Sequence, residues 1–121
     1  MKAVRKKMKP VRTLEAIVKA PGEKPSVTVI ANTLEAMQSI VGGHIEVVGF
    51  TNHNVIVCNE EGRLLGLPEN AQGICGTMIV LGRWCGDGEF TDVVGPKYIL
   101  SLLREEPGAA DDAARWASSR A

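Results

Sequence analysis

The chain has 121 residues, of which 45% are hydrophobic and 23% charged, the proportions of an ordinary soluble globular domain. A chain of this size buries about two-thirds of its unfolded surface without staples. A disordered chain, a fibre, a disulfide-stapled miniprotein and a two-domain enzyme with a cofactor lobe are therefore excluded. The net charge of zero hides a split: residues 1–24 carry eight Lys/Arg against two Glu, a balance of +6, and the remainder carries −6. A body of that sign repels phosphate backbones and the basic arm attracts them, so a nucleic-acid role belongs to Arg5, Lys6, Lys7, Lys9 and Arg12.

No run approaches the ~20 apolar residues that span a bilayer, and the stretch after the basic N-terminus is interrupted by Glu15 and Lys19. Three cysteines, Cys58, Cys75 and Cys85, without paired spacing suit a reducing compartment. The expectation is a cytoplasmic protein with a basic arm (1–12), one domain (13–106) and an Ala-rich tail (107–121).

Along the chain, Val11 to Ala20 interleaves aliphatic residues with Glu15 and Lys19 and predicts a strand, closed by Pro21-Gly22. Pro25 to Ala31 predicts a second strand, joined to the first as a hairpin. Asn32, with Glu35 three residues on, predicts a helix cap. Leu34, Met37, Ile40 and Val41 then recur at helical spacing until Gly42-Gly43 stops the helix. Ile45 to Phe50 and Asn54 to Cys58 predict a hairpin about Thr51-Asn52-His53. Asn59-Glu60-Glu61-Gly62 predicts a turn with Gly62 at positive φ, and Arg63 to Leu67 a short returning strand. Gly76 to Gly82 is almost wholly apolar and predicts a central strand covered on both faces. Asp87-Gly88 predicts a turn and Glu89 to Thr91 an edge strand. Pro96 opens a second helix whose apolar side is Tyr98, Ile99, Leu102 and Leu103, stopped by Pro107-Gly108. The expected fold class is α+β: a small, largely antiparallel sheet of about five to six strands with two helices on one face.

Certain runs carry a resemblance. They are Thr33-Leu34-Glu35-Ala36-Met37-Gln38, Val41-Gly42-Gly43-His44-Ile45-Glu46, Cys58-Asn59-Glu60-Glu61-Gly62-Arg63-Leu64, Gly66-Leu67-Pro68 with Asn70, and Gly76-Thr77. In this order they resemble the domain-of-unknown-function 3846 family over about residues 14–92. Where members usually carry Tyr after the two glycines, this chain has His44. The resemblance implies a setting of phages, plasmids and mobile elements, and it transfers no catalytic residue.

The chemistry-bearing residues point the same way. His44, His53 and the three cysteines lack the close ligand pairs of a structural zinc site, so no metal and no cofactor is expected. Glu60 and Glu61 are paired carboxylates, the pattern of acid–base work, yet they sit in an expected turn with no partner at a catalytic spacing. Gly42-Gly43 follows a helix, whereas phosphate loops precede one. Arg83-Trp84 lies in the Gly82–Gly88 loop and can anchor a partner or a base. His44 and Arg63 complete the candidate ligand or partner residues, and a cationic pocket around Arg63 or Arg83 would indicate a nucleotide.

The leading expectation is a non-catalytic binding module of a phage or mobile-element accessory protein, acting in counter-defence by gripping a host protein or sequestering a nucleotide signal. Nucleic-acid binding through the arm is second, and a small hydrolase on the Glu60/Glu61 turn third. Two short edge strands, Ser26 to Ala31 and Glu89 to Thr91, predict a homodimer. Any affinity for nucleic acid resides in the arm. In fluorescence-anisotropy titrations on a labelled duplex, deleting the arm abolishes binding, and the intact chain's affinity falls steeply with salt. Tight, salt-insensitive binding by the truncated body refutes this assignment.

Overall fold

The structure is a computed structural model and describes residues 12–83 and 89–104. Among the described residues six strands and two helices follow in chain order: β1 Thr13–Lys19, β2 Ser26–Ala31, α1 Leu34–Val41, β3 Ile45–Gly49, β4 Asn54–Asn59, β5 Met78–Arg83, β6 Phe90–Thr91 and α2 Pro96–Arg104. The fold is α+β. All strand pairings are antiparallel, in the order β2-β1-β5-β4-β3, with β6 also on β5.

Two hairpins arise from local chemistry. Pro21-Gly22 turns β1 back into β2, in register from Thr13–Ala31 to Val18–Ser26. The polar Thr51-Asn52-His53 turn brings β3 onto β4, from Ile45–Asn59 to Gly49–Val55. The apolar β5 joins them, pairing with β1 on one side and β4 on the other. Met78 through Leu81 are each 0% exposed, as the unbroken apolar run requires of a strand covered on both faces.

Successive side chains of a strand point to opposite faces, and each face collects its own core. On one, Leu14, Ala16, Val57, Ile79 and Leu81 pack with Met37 and Val41 of α1. On the other, Ile17, Ile56, Met78 and Val80 pack with Ile99 and Leu103 of α2. The helices thus lie on opposite faces of the sheet, not together on one. A helix on one side only would leave half of β5's apolar side chains in water.

Several local expectations shift. Thr33, not Asn32, caps α1, its Oγ1 accepting the Ala36 N–H at 3.1 Å; the Asn32 N–H bonds the Arg12 carbonyl at 2.8 Å instead. That bond ties Arg12 to the residue after β2. Gly42 takes φ 84° and closes the helix as expected. Leu34 is exposed rather than part of the packed stripe.

Arg63 to Leu67 form no strand. From Glu60 to Gly66 the chain makes successive turns, with Leu65 N–H to the Glu61 carbonyl at 2.8 Å and Leu67 N–H to the Gly62 carbonyl at 2.9 Å. Leu64 and Leu65 are left exposed. Gly62 is not at positive φ. Glycine is required there for another reason: a Cβ would run into the Cys75 carbonyl oxygen.

β6 is not a free edge. It pairs with β5 at Gly82 and Arg83, and beyond it the Val93 N–H bonds the Glu15 carbonyl at 2.8 Å, so this segment fills the gap where β1 and β5 part. Turn Asp87-Gly88 and the helix stop at Pro107-Gly108 lie outside the described residues.

The long β4–β5 connection is held by Asn70. Its Nδ2 donates to the carbonyls of Lys19 at 2.8 Å and Gly76 at 2.9 Å. Its Oδ1 accepts the Ala71 N–H at 2.7 Å and the Lys19 ammonium at 2.8 Å. Lys19, one of the eight basic residues among the first 24, is 2% exposed at the end of β1.

Urea denaturation orders the variants of this region. Asn70→Ala strips partners from several buried groups at once and costs about 3–5 kcal/mol. Gly62→Ala costs roughly 1–3 kcal/mol through overpacking against Cys75. Glu60→Gln and Glu61→Gln, both exposed, stay within about 0.5 kcal/mol of the parent.

Candidate functional site

A concavity of about 550 Å³ lies between the β3–β4 turn and α2. Phe50, Thr51, Asn52 and His53 line one wall, and Val94, Gly95, Tyr98 and Leu102 the other. Its walls are set by one side chain. Asn54 donates from Nδ2 to the Val94 carbonyl at 2.9 Å, and its Oδ1 accepts the Val94 N–H at 2.9 Å. The amide so mimics a neighbouring strand and fixes the approach to α2. The same Nδ2 donates to Thr51 Oγ1 at 3.1 Å within the turn. Asn54 is 3% exposed, so these bonds are sheltered from water.

On α2, Ile99 and Leu103 are buried in the core, whereas Tyr98 and Leu102 form a neighbouring stripe facing the groove. Tyr98 is 62% exposed and Val94 45%, so the two leave apolar surface open at the groove. Among the described residues the lining contains aromatic, aliphatic, amide and hydroxyl groups and one imidazole, with no carboxylate, ammonium or guanidinium. It suits an apolar side chain or a flat neutral ring with a few hydrogen bonds at the rim.

Of the residues singled out from sequence, the described ones do not meet. His44 is exposed beside α1, its Nδ1 3.4 Å from Gln38 Nε2. Arg63 donates to the Gly73 carbonyl at 3.3 Å, in the β4–β5 connection. Arg83 ends β5 near the groove, its N–H bonded to the His53 carbonyl at 3.1 Å, but it does not line the cavity. Trp84, Arg5, Lys6, Lys7 and Lys9 lie outside the described residues. Arg12 pairs with Glu89 at 3.6 Å, both largely exposed. Phe50, Tyr98 and Leu102 escaped selection because sequence reads them as ordinary packing residues. The signal present was the width of the α2 apolar side, two adjacent stripes where one suffices to cover a sheet.

A family model described as a domain of unknown function (DUF3846) matches residues 12–101. The chain belongs to the DUF3846 family. No curated protein and no solved structure matches it. In this DUF3846 domain the matched span runs from the residue before β1 into α2, so it takes in the groove except Leu102.

A smaller cavity of about 190 Å³ opens under the β4–β5 connection, lined among others by Glu46, Cys58, Glu60, Arg63 and Cys75. Both cysteines are free. Burial, and secondarily the charge of Glu46, push the Cys58 thiol above its ordinary value of 9.0. A nucleophilic cysteine needs the opposite shift. Two glutamates beside a single arginine make no anion site either. Among the described residues no group of three or more His, Cys, Asp or Glu is placed to hold a metal ion, and no helix is long and apolar enough to cross a membrane.

Two measurements follow from these environments. In alkylation with iodoacetamide mapped by peptide mass spectrometry, Cys58 reacts more slowly than half-buried Cys75 at neutral pH. Because its folded pKa is raised, Cys58 contributes stability in full below pH 9.0 that is lost as pH rises through the folded value. Asn54→Asp replaces a donor with a carboxylate oxygen facing the Val94 carbonyl, and costs about 2–3 kcal/mol in urea denaturation at neutral pH. That loss shrinks on acidification toward about pH 4, as the carboxyl takes up a proton.

Proposed function

We propose that this DUF3846 domain is a non-catalytic binding module whose recognition surface is the groove between the β3–β4 turn and α2. The observation that carries the reading is the groove's makeup: Phe50, Tyr98 and Leu102 around about 550 Å³, with no charged group among the described residues of the lining. A nucleotide signal demands cationic partners for its phosphates, and neither Arg63 nor Arg83 lines the groove. The favoured ligand is a segment of a protein partner that inserts an aromatic or aliphatic side chain between Phe50 and Tyr98, as interface anchors do. In the phage and mobile-element setting that the family resemblance implies, that partner is a host protein and the role is counter-defence.

Peptide display on the immobilised full chain tests the reading. Selected peptides share an apolar anchor, and their addition shifts the NMR resonances of His53, Gly95 and Tyr98. Tyr98→Asp abolishes their binding while the far-UV circular dichroism stays unchanged, since Tyr98 lies outside the core. Peptides that bind the Tyr98→Asp variant equally well, or nucleoside phosphates that shift these resonances when peptides do not, refute it.

A further inference from the structure

β2 is an end strand of the sheet, and one of its edges faces no described strand. Natural edge strands are blunted by charge, proline, bulges or extreme shortness. Ser26 to Ala31 has none of these over its six residues. The opposite end strand, β3, carries the exposed Glu46 and ends on Gly49. The two edges are thus treated differently, and β2 is the one left competent to pair.

The direction of its free groups follows from the ladder. The Asn32 N–H bonds the Arg12 carbonyl, and antiparallel pairs alternate between bonded and non-bonded. Continuing the β1–β2 register, Leu14–Ile30 and Ala16–Thr28 are bonded pairs within the sheet. Val27, Val29 and Ala31 therefore turn their N–H and C=O outward. Their side chains share the α2 face, because Val27 stands opposite Ile17, and there Val29 is 65% exposed and Val27 43%.

We propose that a second copy of this chain occupies this edge, β2 against β2 across a two-fold axis at Val29. Val29 then faces Val29 of the second copy, and Val27 faces Ala31. Three bonded pairs form, about six main-chain hydrogen bonds. An axis at Thr28 instead would set Pro25, which lies outside β2 and has no N–H, opposite Ala31, and leave two complete bonded pairs in place of three. The absence of charge suits a two-fold: a charged side chain near the axis would meet its own copy, and Ser26 to Ala31 holds none. The pairing closes Val29 against its own copy and Val27 against Ala31, and joins the two sheets edge to edge.

Light scattering on the full chain gives twice 13.0 kDa at micromolar concentrations. NMR-detected amide exchange shows the Val27, Val29 and Ala31 N–H groups protected as the dimer forms. Val29→Lys and Val29→Glu each abolish the dimer, with far-UV circular dichroism unchanged because the side chain is exposed. An equimolar mixture of the two variants restores it, since position 29 opposes itself and opposite charges then meet. Three results overturn the proposal: a monomer at every concentration, a dimer whose three amides exchange freely, or a mixture that stays monomeric. Protection of those amides in a monomer also overturns it, because another segment of the same chain would then cover the edge.

Discussion

The amide of Asn70 is the point on which the sheet's least regular part depends. The connection from β4 to β5 is the longest in the described domain and holds no strand, only turns, a 3-10 segment at Ala71–Gly73 and one bridge between Glu69 and Cys75. Buried main chain without ladder partners is costly. Asn70 answers that cost by bonding the end of β1, the start of β5 and its own 3-10 turn from one side chain. It also gives the Lys19 ammonium an oxygen in a place that water does not reach. With the connection anchored, Ala71 and Ile74 can finish the core on the α2 face.

Two further asparagines repeat the device. Asn59 donates to the Val41 carbonyl at the end of α1 and accepts the Glu61 N–H, tying the helix to the turn after β4. Asn54 does the same for the β3–β4 turn and the lead-in to α2. A shared residue type at both ends of β4 thus sets the two loops at either end of the sheet, while the apolar strand between them fills both cores. The groove inherits its rigidity from this arrangement. Its walls come from segments about forty residues apart, fixed to one another by the Asn54 amide.

Most of the sheet was legible because its strands are short, apolar and punctuated by Pro21-Gly22, Gly42-Gly43 and Asn52-His53. The side on which each helix packs was not. An apolar stripe shows that a helix must be covered, and the opposite placement follows from β5 needing cover twice. Leu64, Leu65 and Leu67 suggested a strand by composition, but Asn59 Oδ1 and the close pass of Gly62 against Cys75 impose turns that leave Leu64 and Leu65 outside. Asn32 and Thr33 are both good caps, and the sheet's claim on the Asn32 N–H decides between them. Of the candidate site, sequence offered charged and aromatic residues one by one. The groove is made by Phe50 and Tyr98, which only the tertiary fold brings together, and by an asparagine whose role is invisible without its partner Val94.

The strand order has a consequence during synthesis. β5 sits between β1 and β4, yet it is the last of the five main strands to leave the ribosome. Before it emerges, the nascent chain holds two hairpins, each with an apolar inner edge and nothing between them. Pairings of such long sequence separation form slowly, and open edges in waiting invite wrong partners. A ribosome that stalls near residue 75 therefore releases not a smaller version of this domain but two adhesive halves. The interval between translating Cys58 and Arg83 is the chain's most vulnerable moment, and a chaperone has most to shield there.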